Sequence, residues 1–360
     1  MINELFLDLI RISLGKTCSK PPHVTKKEWN DIYQMANKHA ISGLILSAVD
    51  DLCHNDGFDR PDATLVFQWI GLLSVIKTRN EELNNACREL FSYFKDGGKR
   101  SCVLKGQGLS LLYPDPSLRQ SGDIDLWVEG NRENTISFLK SKNIILGSIV
   151  IHHVDANILP GIETEIHFIP IWLYNPIYNL RLQRFFKHQQ DIQFSHYDPQ
   201  MGFCYPTTEF NIIYCMVHIY HHYLDEGVDF RQIIDYYYIL NCDNIKHNNT
   251  VALLKHLGLY RFARALMWVI KEVCMIDDSH LLCNPDNKRG KSLLAEIMAV
   301  GKMGVYGSRH SNFEQKNTLV RNLWKSKRWL WLAHDYPSEI MCIPFWKLWH
   351  WCWRKYKSYV

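Results

Sequence analysis

The stretch from Val103 to Val128, VLKGQGLSLLYPDPSLRQSGDIDLWV, constrains this chain more than any other. It opens on an apolar pair, passes through Lys105-Gly106-Gln107-Gly108, and closes on Gly122-Asp123-Ile124-Asp125-Leu126. Side chains of an extended strand alternate between its faces, so Asp123 and Asp125 share one face while Ile124 and Leu126 share the other. Carboxylates that close repel and raise one another's pKa. A divalent cation between them removes the penalty, and hard oxygen ligands suit Mg²⁺, with Mn²⁺ as its substitute. Between the glycines and the aspartates, Leu109-Ser110-Leu111-Leu112 reads as a helical turn, followed by Arg119 and Ser121. Glycines at a strand-to-helix junction let backbone N–H groups approach a phosphate, and a helix start adds partial positive charge there. A phosphate cradle beside a metal-binding carboxylate pair is the apparatus of phosphoryl or nucleotidyl transfer.

These residues resemble the signature of the nucleotidyltransferase-fold superfamily, to which DNA polymerase beta and the aminoglycoside nucleotidyltransferases belong. That signature is an apolar residue, Gly, then Gly or Ser, a spacer, and Asp-apolar-Asp-apolar. More narrowly, Leu104-Lys105-Gly106 with Arg119 and Gly122–Leu126 is similar to a poorly characterised bacterial nucleotidyltransferase family. The chain departs from the pattern at Gln107, where Gly or Ser is usual, and its spacer to Asp123 is longer. The resemblance implies an α+β fold, with a small mixed sheet flanked by N-terminal and C-terminal helical regions. It also implies a third acid on a later strand. The segment Ile162–Ile169, IETEIHFI, alternates with period two, so Glu163, Glu165 and His167 share a face. Glu165, two residues before a His, matches the narrow family's pattern; Glu163 is the fallback.

The rest of the chain frames this centre. Residues 1–98 read as helices, with Leu5, Leu9 and Ile12 in an opener, Lys26–Leu52 at helical spacing, and one or two long helices over Ala63–Lys95. On the last, Asn80, Glu81, Glu82 and Arg88 are expected on the wet side. Residues 99–205 alternate strands with helices, and 206–360 return to helix, with Thr207-Thr208-Glu209 as a capping start. Within the last region, His218 with His221 or His222 has the spacing of a metal-binding pair, which would make a metal-dependent hydrolase. Gly227–Asp235, GVDFRQIID, is similar to a second landmark of the narrow family; there Arg231 and Asp235 stand at i,i+4, the spacing of an ordinary helix ion pair, while His222 or Arg231 could lean into the cleft.

Asn322–Tyr359 carries Trp324, Trp329, Trp331, Trp346, Trp349, Trp351 and Trp353 among Lys and Arg. Such a stripe suits a terminal helix docked on its neighbours, or contact with a membrane surface. A net charge of +4 over 360 residues, with no basic tract, carries no nucleic-acid signature. No run is apolar and long enough for a signal peptide or membrane span. Eleven cysteines without metal-like spacing suit reduced thiols in a cytoplasm.

The expected activity is Mg²⁺-dependent transfer of an NMP from an NTP to an unidentified acceptor hydroxyl. Asp123, Asp125 and Glu165 are the catalytic and metal-holding set. The substrate-binding candidates are Lys105, Gly106, Gln107, Gly108, Ser110, Arg119, Ser121, His167 and Arg231, with Lys105 and Arg119 facing the leaving pyrophosphate. The alternative reading is a nucleotide-binding module of a regulatory or defence system that keeps the fold and has lost the chemistry.

Overall fold

The computed structural model describes residues 2–18, 23–53, 59–225, 227–242, 245, 247–300 and 326–357. The N-terminal helices are α1 (Ile2–Ser13), α2 (Lys26–Lys38), α3 (Ser42–Cys53) and the 34-residue α4 (Ala63–Asp96). The run Lys26–Leu52 is therefore interrupted. Ala40 takes a left-handed backbone, φ +54°, and breaks it after His39. α3 then packs so tightly on the 3-10 turn Pro116–Leu118 that a Cβ on Gly43 would sit 2.5 Å from the Leu118 carbonyl oxygen.

Five strands follow: β1 (Ser101–Leu104), β2 (Ile124–Val128), β3 (Ile145–Ile149), β4 (His153–Asn157) and β5 (Thr164–His167). They form one mixed sheet in the order β1-β2-β5-β4-β3, in which β2 and β5 are parallel and the other neighbours antiparallel. α5 (Gly106–Ser110) and α6 (Arg132–Ser141) link the first strands. α7 (Pro176–Ser195) and the two-stranded ribbon Tyr197–Asp198/Phe203–Cys204 lead out of the sheet.

Period-two alternation divides β2 between two cores. Ile124, Leu126 and Val128 pack with Val103, Val154 and Ile166 against Leu83, Cys87, Leu90 and Phe94 of α4. Trp127, on the other face, stacks on Phe210 and lies against Phe194. Burying a residue of this size stabilises the fold by about 2–3 kcal/mol. With one face of β2 sealed by α4, Asp125 must emerge on the other.

That other face is roofed by α8 (Thr208–Asp225), which is buried nearly all round, as befits a helix in the centre of a protein. α9 (Phe230–Leu240), α10 (His247–His256), α11 (Tyr260–Cys274) and α12 (Asn287–Val300) pack beyond it. The C-terminal helix, Ile343–Lys357, brings Trp346 to within 5.5 Å of Trp172, ring centre to ring centre, in a stacked pair. Other parts of this Trp-rich segment are open: Trp349 and Trp351 are half-exposed. Asn322, Trp324 and Tyr359 lie outside the described residues. Among those residues, no helix is long and apolar enough to cross a membrane.

Candidate active site

The register of the sheet builds a row of acids. Asp125 of β2 is opposite Glu165 of β5, and Glu165 is opposite Asp155 of β4. Two residues on, His167 lies between Trp127 and His153 in the next row. Residues two apart share a face, so carboxylates and imidazoles interleave there. His167 Nε2 lies 2.9 Å from Asp125 Oδ1 and 3.3 Å from Glu165 Oε2. His153 Nδ1 lies 3.0 Å from Glu165 Oε2, and its Nε2 lies 3.3 Å from Asp155 Oδ1. Burial alone would push the His167 imidazole down, but its bonds to Asp125 and Glu165 raise it to about 9.

Lys105 sits at the end of β1 in a strained left-handed backbone, φ +50° and ψ −136°. Such a residue costs on the order of 1–3 kcal/mol and persists only when its surroundings hold it. Here the β1–β2 pairing on one side and bonds from Gly108 and Leu109 N–H to its carbonyl on the other fix it. Its ammonium lies 3.0 Å from Asp125 Oδ2 and donates to His218 Nε2 at 2.8 Å. Burial would lower the Lys105 pKa, but the charges of Asp125 and Asp123 raise it overall. Burial likewise works against the Asp125 carboxylate, and Lys105 and His167 hold it well below the usual range. Asp123 goes the other way: the charge on Asp125 raises it, against the pull of Lys105.

Asp123 itself lies just before β2, exposed, and the left-handed Gly106 turn lies beside its backbone. It borders two chambers, both lined in part by α8. The first, of about 230 Å³, is lined by Lys105, Gly106, Asp123, Asp125, His218 and Arg231 among others. The second, of about 500 Å³, shares Lys105, Asp123 and Asp125 and adds Glu165, His167, Trp172 and Tyr174. Asp125, Glu165 and His167 can each offer one ligand atom, all within 4.8 Å of one another. Exposed and buried carboxylates meeting at one cleft, with Asp123 destabilised by its neighbour's charge, fit a divalent cation held by oxygen.

Several candidates lie elsewhere than at the mouth of the cleft. Gln107 is buried and donates to Asn84 Oδ1 at 2.7 Å and to the Asn80 carbonyl at 3.2 Å, so its side chain faces α4. Ser110 donates to the Gln107 carbonyl. Gly108 is needed for packing, since a Cβ there would lie 2.8 Å from that of Tyr205. Asn80, expected on the wet side, is buried and donates to the carbonyls of Ser117 and Arg119, pinning the loop before β2.

Arg119 lines the first chamber, but its guanidinium grips Asp235 through two bonds of 2.8 Å and donates to Ser121 at 2.9 Å. Tyr113 donates to the same Asp235 carboxylate at 2.7 Å. Asp235 is thus the partner of Arg119, and the expected i,i+4 pair with Arg231 gives way to this longer-range contact. Arg231 instead donates to the Gln120 carbonyl and lies 3.5 Å from Asp229, with its side chain bordering the first chamber. Glu163 stands outside both chambers, its carbonyl accepting from Ile124 N–H.

The histidines of α8 diverge. His218 accepts from Lys105 and lies 3.2 Å from His222, whereas His221 turns to Trp172 and Tyr174 in the second chamber. Burial and the neighbouring Lys105 charge hold His218 far below the ordinary imidazole value, which suits an acceptor of that ammonium proton. None of the three belongs to a group of three or more side chains whose atoms could share a metal ion among the described residues. Sequence reading passed over His152, His153 and Trp172. A signal was present: His153-Val154-Asp155-Ala156 alternates polar and apolar, which puts His153 and Asp155 on one face.

A family model described as an uncharacterised nucleotidyltransferase matches residues 25–274, and the chain belongs to that family. An antigenic nucleotidyltransferase-like protein from Paracoccidioides brasiliensis has a solved structure similar over 56% of this chain and 96% of its own, at 18% identity and a TM-score of 0.33. No curated protein matches the chain. The assignment rests on the family match.

Proposed function

We propose that this protein transfers a nucleoside monophosphate from an NTP to an acceptor hydroxyl, using Mg²⁺ and releasing pyrophosphate. The acceptor oxygen would bond to the α-phosphorus as the bond from that phosphorus to the α–β bridging oxygen breaks. The observation that carries the reading is the opposition of Asp125 and Glu165 on adjacent parallel strands, with Asp123 bordering the same chamber. Asp123, Asp125 and Glu165 would hold the metal, which when bound would supply charge neutralisation for the phosphates and lower the pKa of the acceptor hydroxyl.

The chain's own groups do the rest. Lys105 fixes Asp125 and, with Arg231, provides positive charge toward the phosphates in the first chamber. Gly106 leaves the backbone bare at the turn beside Asp123. Arg119 acts by position, tying the loop that precedes β2 to α9 through Asp235. Glu165, with one oxygen held by His153 and His167, would take the acceptor's proton. The second chamber, walled by Trp172 and Tyr174, is suited to the acceptor.

The test is incubation of the purified protein with each α-labelled NTP, Mg²⁺ and a cell extract. A labelled acceptor together with free pyrophosphate supports transfer. NTP binding with neither product supports instead a nucleotide-binding module that has lost the chemistry.

A further inference from the structure

Behind the carboxylates, the sheet face continues into an imidazole cluster. His152 and His153 are adjacent at the start of β4, and His153 pairs across the ladder with His167 of β5. Each of the three brings one ring nitrogen within 4.8 Å of the other two. His153 Nδ1 is the hub, 2.9 Å from His152 Nε2 and 3.0 Å from Glu165 Oε2.

While His153 is neutral, that hub cannot satisfy both neighbours. A neutral imidazole carries one proton, on one of its two nitrogens. If His153 holds it at Nδ1, that single proton must serve both His152 and Glu165. If it holds the proton at Nε2, a bare lone pair faces a carboxylate oxygen at 3.0 Å. A divalent ion at the three rings would take the His153 Nδ1 lone pair together with one from His152 and one from His167. It also leaves His153 Nε2–H to donate to Asp155 Oδ1, 3.3 Å away, and a carboxylate on the far nitrogen is how metal-binding histidines are usually oriented.

We propose that His152, His153 and His167 form a three-nitrogen site for a borderline transition ion of the Zn²⁺ and Co²⁺ class. Imidazole selects such ions, whereas an all-carboxylate site suits Mg²⁺. The two sites therefore adjoin at His167 and differ in the ion they prefer. The three histidines and Glu165 all border the second chamber, which gives an ion a way in.

The test is titration of the full-length protein with Co²⁺, followed by its visible absorption bands, with Zn²⁺ competition and metal analysis after dialysis. One Co²⁺ with imidazole-type bands is expected, displaced by Zn²⁺ and retained in excess Mg²⁺. His152→Ala and His153→Gln should each weaken it by more than about tenfold, while Asp123→Asn leaves it in place. A melting curve of each histidine variant checks that it keeps the fold. Unchanged Co²⁺ affinity in both histidine variants overturns the proposal, as does binding lost in Asp123→Asn alone. No turnover is read, so failure here leaves the transferase reading untouched.

Discussion

Asp125 and Glu165 face each other across the parallel pair β2–β5, and one imidazole, that of His167, bonds to both. The sheet therefore places two acids from separate strands at the same level. Lys105 and His167 hold the charge of Asp125, and that charge in turn raises the carboxyl of the exposed Asp123. On the proposed reading, Asp125 is the buried anchor and Asp123 the accessible metal ligand.

The two aspartates should respond differently to amidation. Asp123→Asn removes an exposed carboxylate, so stability should change by no more than about 0.5 kcal/mol while transfer is lost. Asp125→Asn also removes transfer, but leaves Lys105 and His167 without their buried partner and should cost about 3 kcal/mol. Urea denaturation beside a pyrophosphate assay separates the two.

Arg119 and Asp235 form a buried pair whose role is to hold the loop before β2. Burial works against the Asp235 carboxylate, and Arg119 holds it below its ordinary range. A carboxyl depressed in the folded state stabilises fully above the ordinary carboxylate pKa, and that contribution fades as pH falls toward the folded value. Asp235→Asn should lose about 3–5 kcal/mol at neutral pH and show a flatter acid limb. Stability measured from pH 7 down to pH 3 checks both.

Gln107 occupies the position where the resembled signature has Gly or Ser, and here it bonds to α4. Gln107→Ala should cost about 1–2 kcal/mol, from buried groups on Asn80 and Asn84 left unpaired. Nucleotide affinity, measured by calorimetry, should stay within about twofold of the parent, an energy difference under about 0.5 kcal/mol.

His39 tests the seam between the N-terminal helices and α9. It is buried against Phe230, whose N–H points to its Nδ1 at 3.3 Å. Burial, with some help from Lys38, lowers its pKa from an ordinary 6.5 to about 3. Between those values the unfolded chain binds a proton that the folded chain refuses, so stability rises with pH across the window and is fully present above it. The slope is at most about 1.4 kcal/mol per pH unit, and His39→Leu should remove it.

What the sequence revealed, and what it concealed, follows the range of the interactions. Alternation in IDLWV and TEIH is local, so the strands and the shared face of Glu165 and His167 were readable. The break at Ala40 was not, because helical spacing continues through it and a left-handed alanine leaves no mark in the pattern. Asn80 looks like a solvent residue on α4 because its partners, the carbonyls of Ser117 and Arg119, lie far along the chain. Arg119 meets Asp235 across 116 positions, and nothing in the nearer GVDFRQIID motif shows that Asp235 is already taken.

The central claim is that acids of β2 and β5, with Asp123, run metal-dependent transfer. Its most direct measurement is pyrophosphate release from an NTP, in the presence of the acceptor identified by labelling, by the native protein and by Glu165→Gln, with Mg²⁺ present and then removed by chelation. The account predicts release by the native protein alone, abolished by the chelator. Release that persists in Glu165→Gln, or in the absence of any divalent ion, would contradict it.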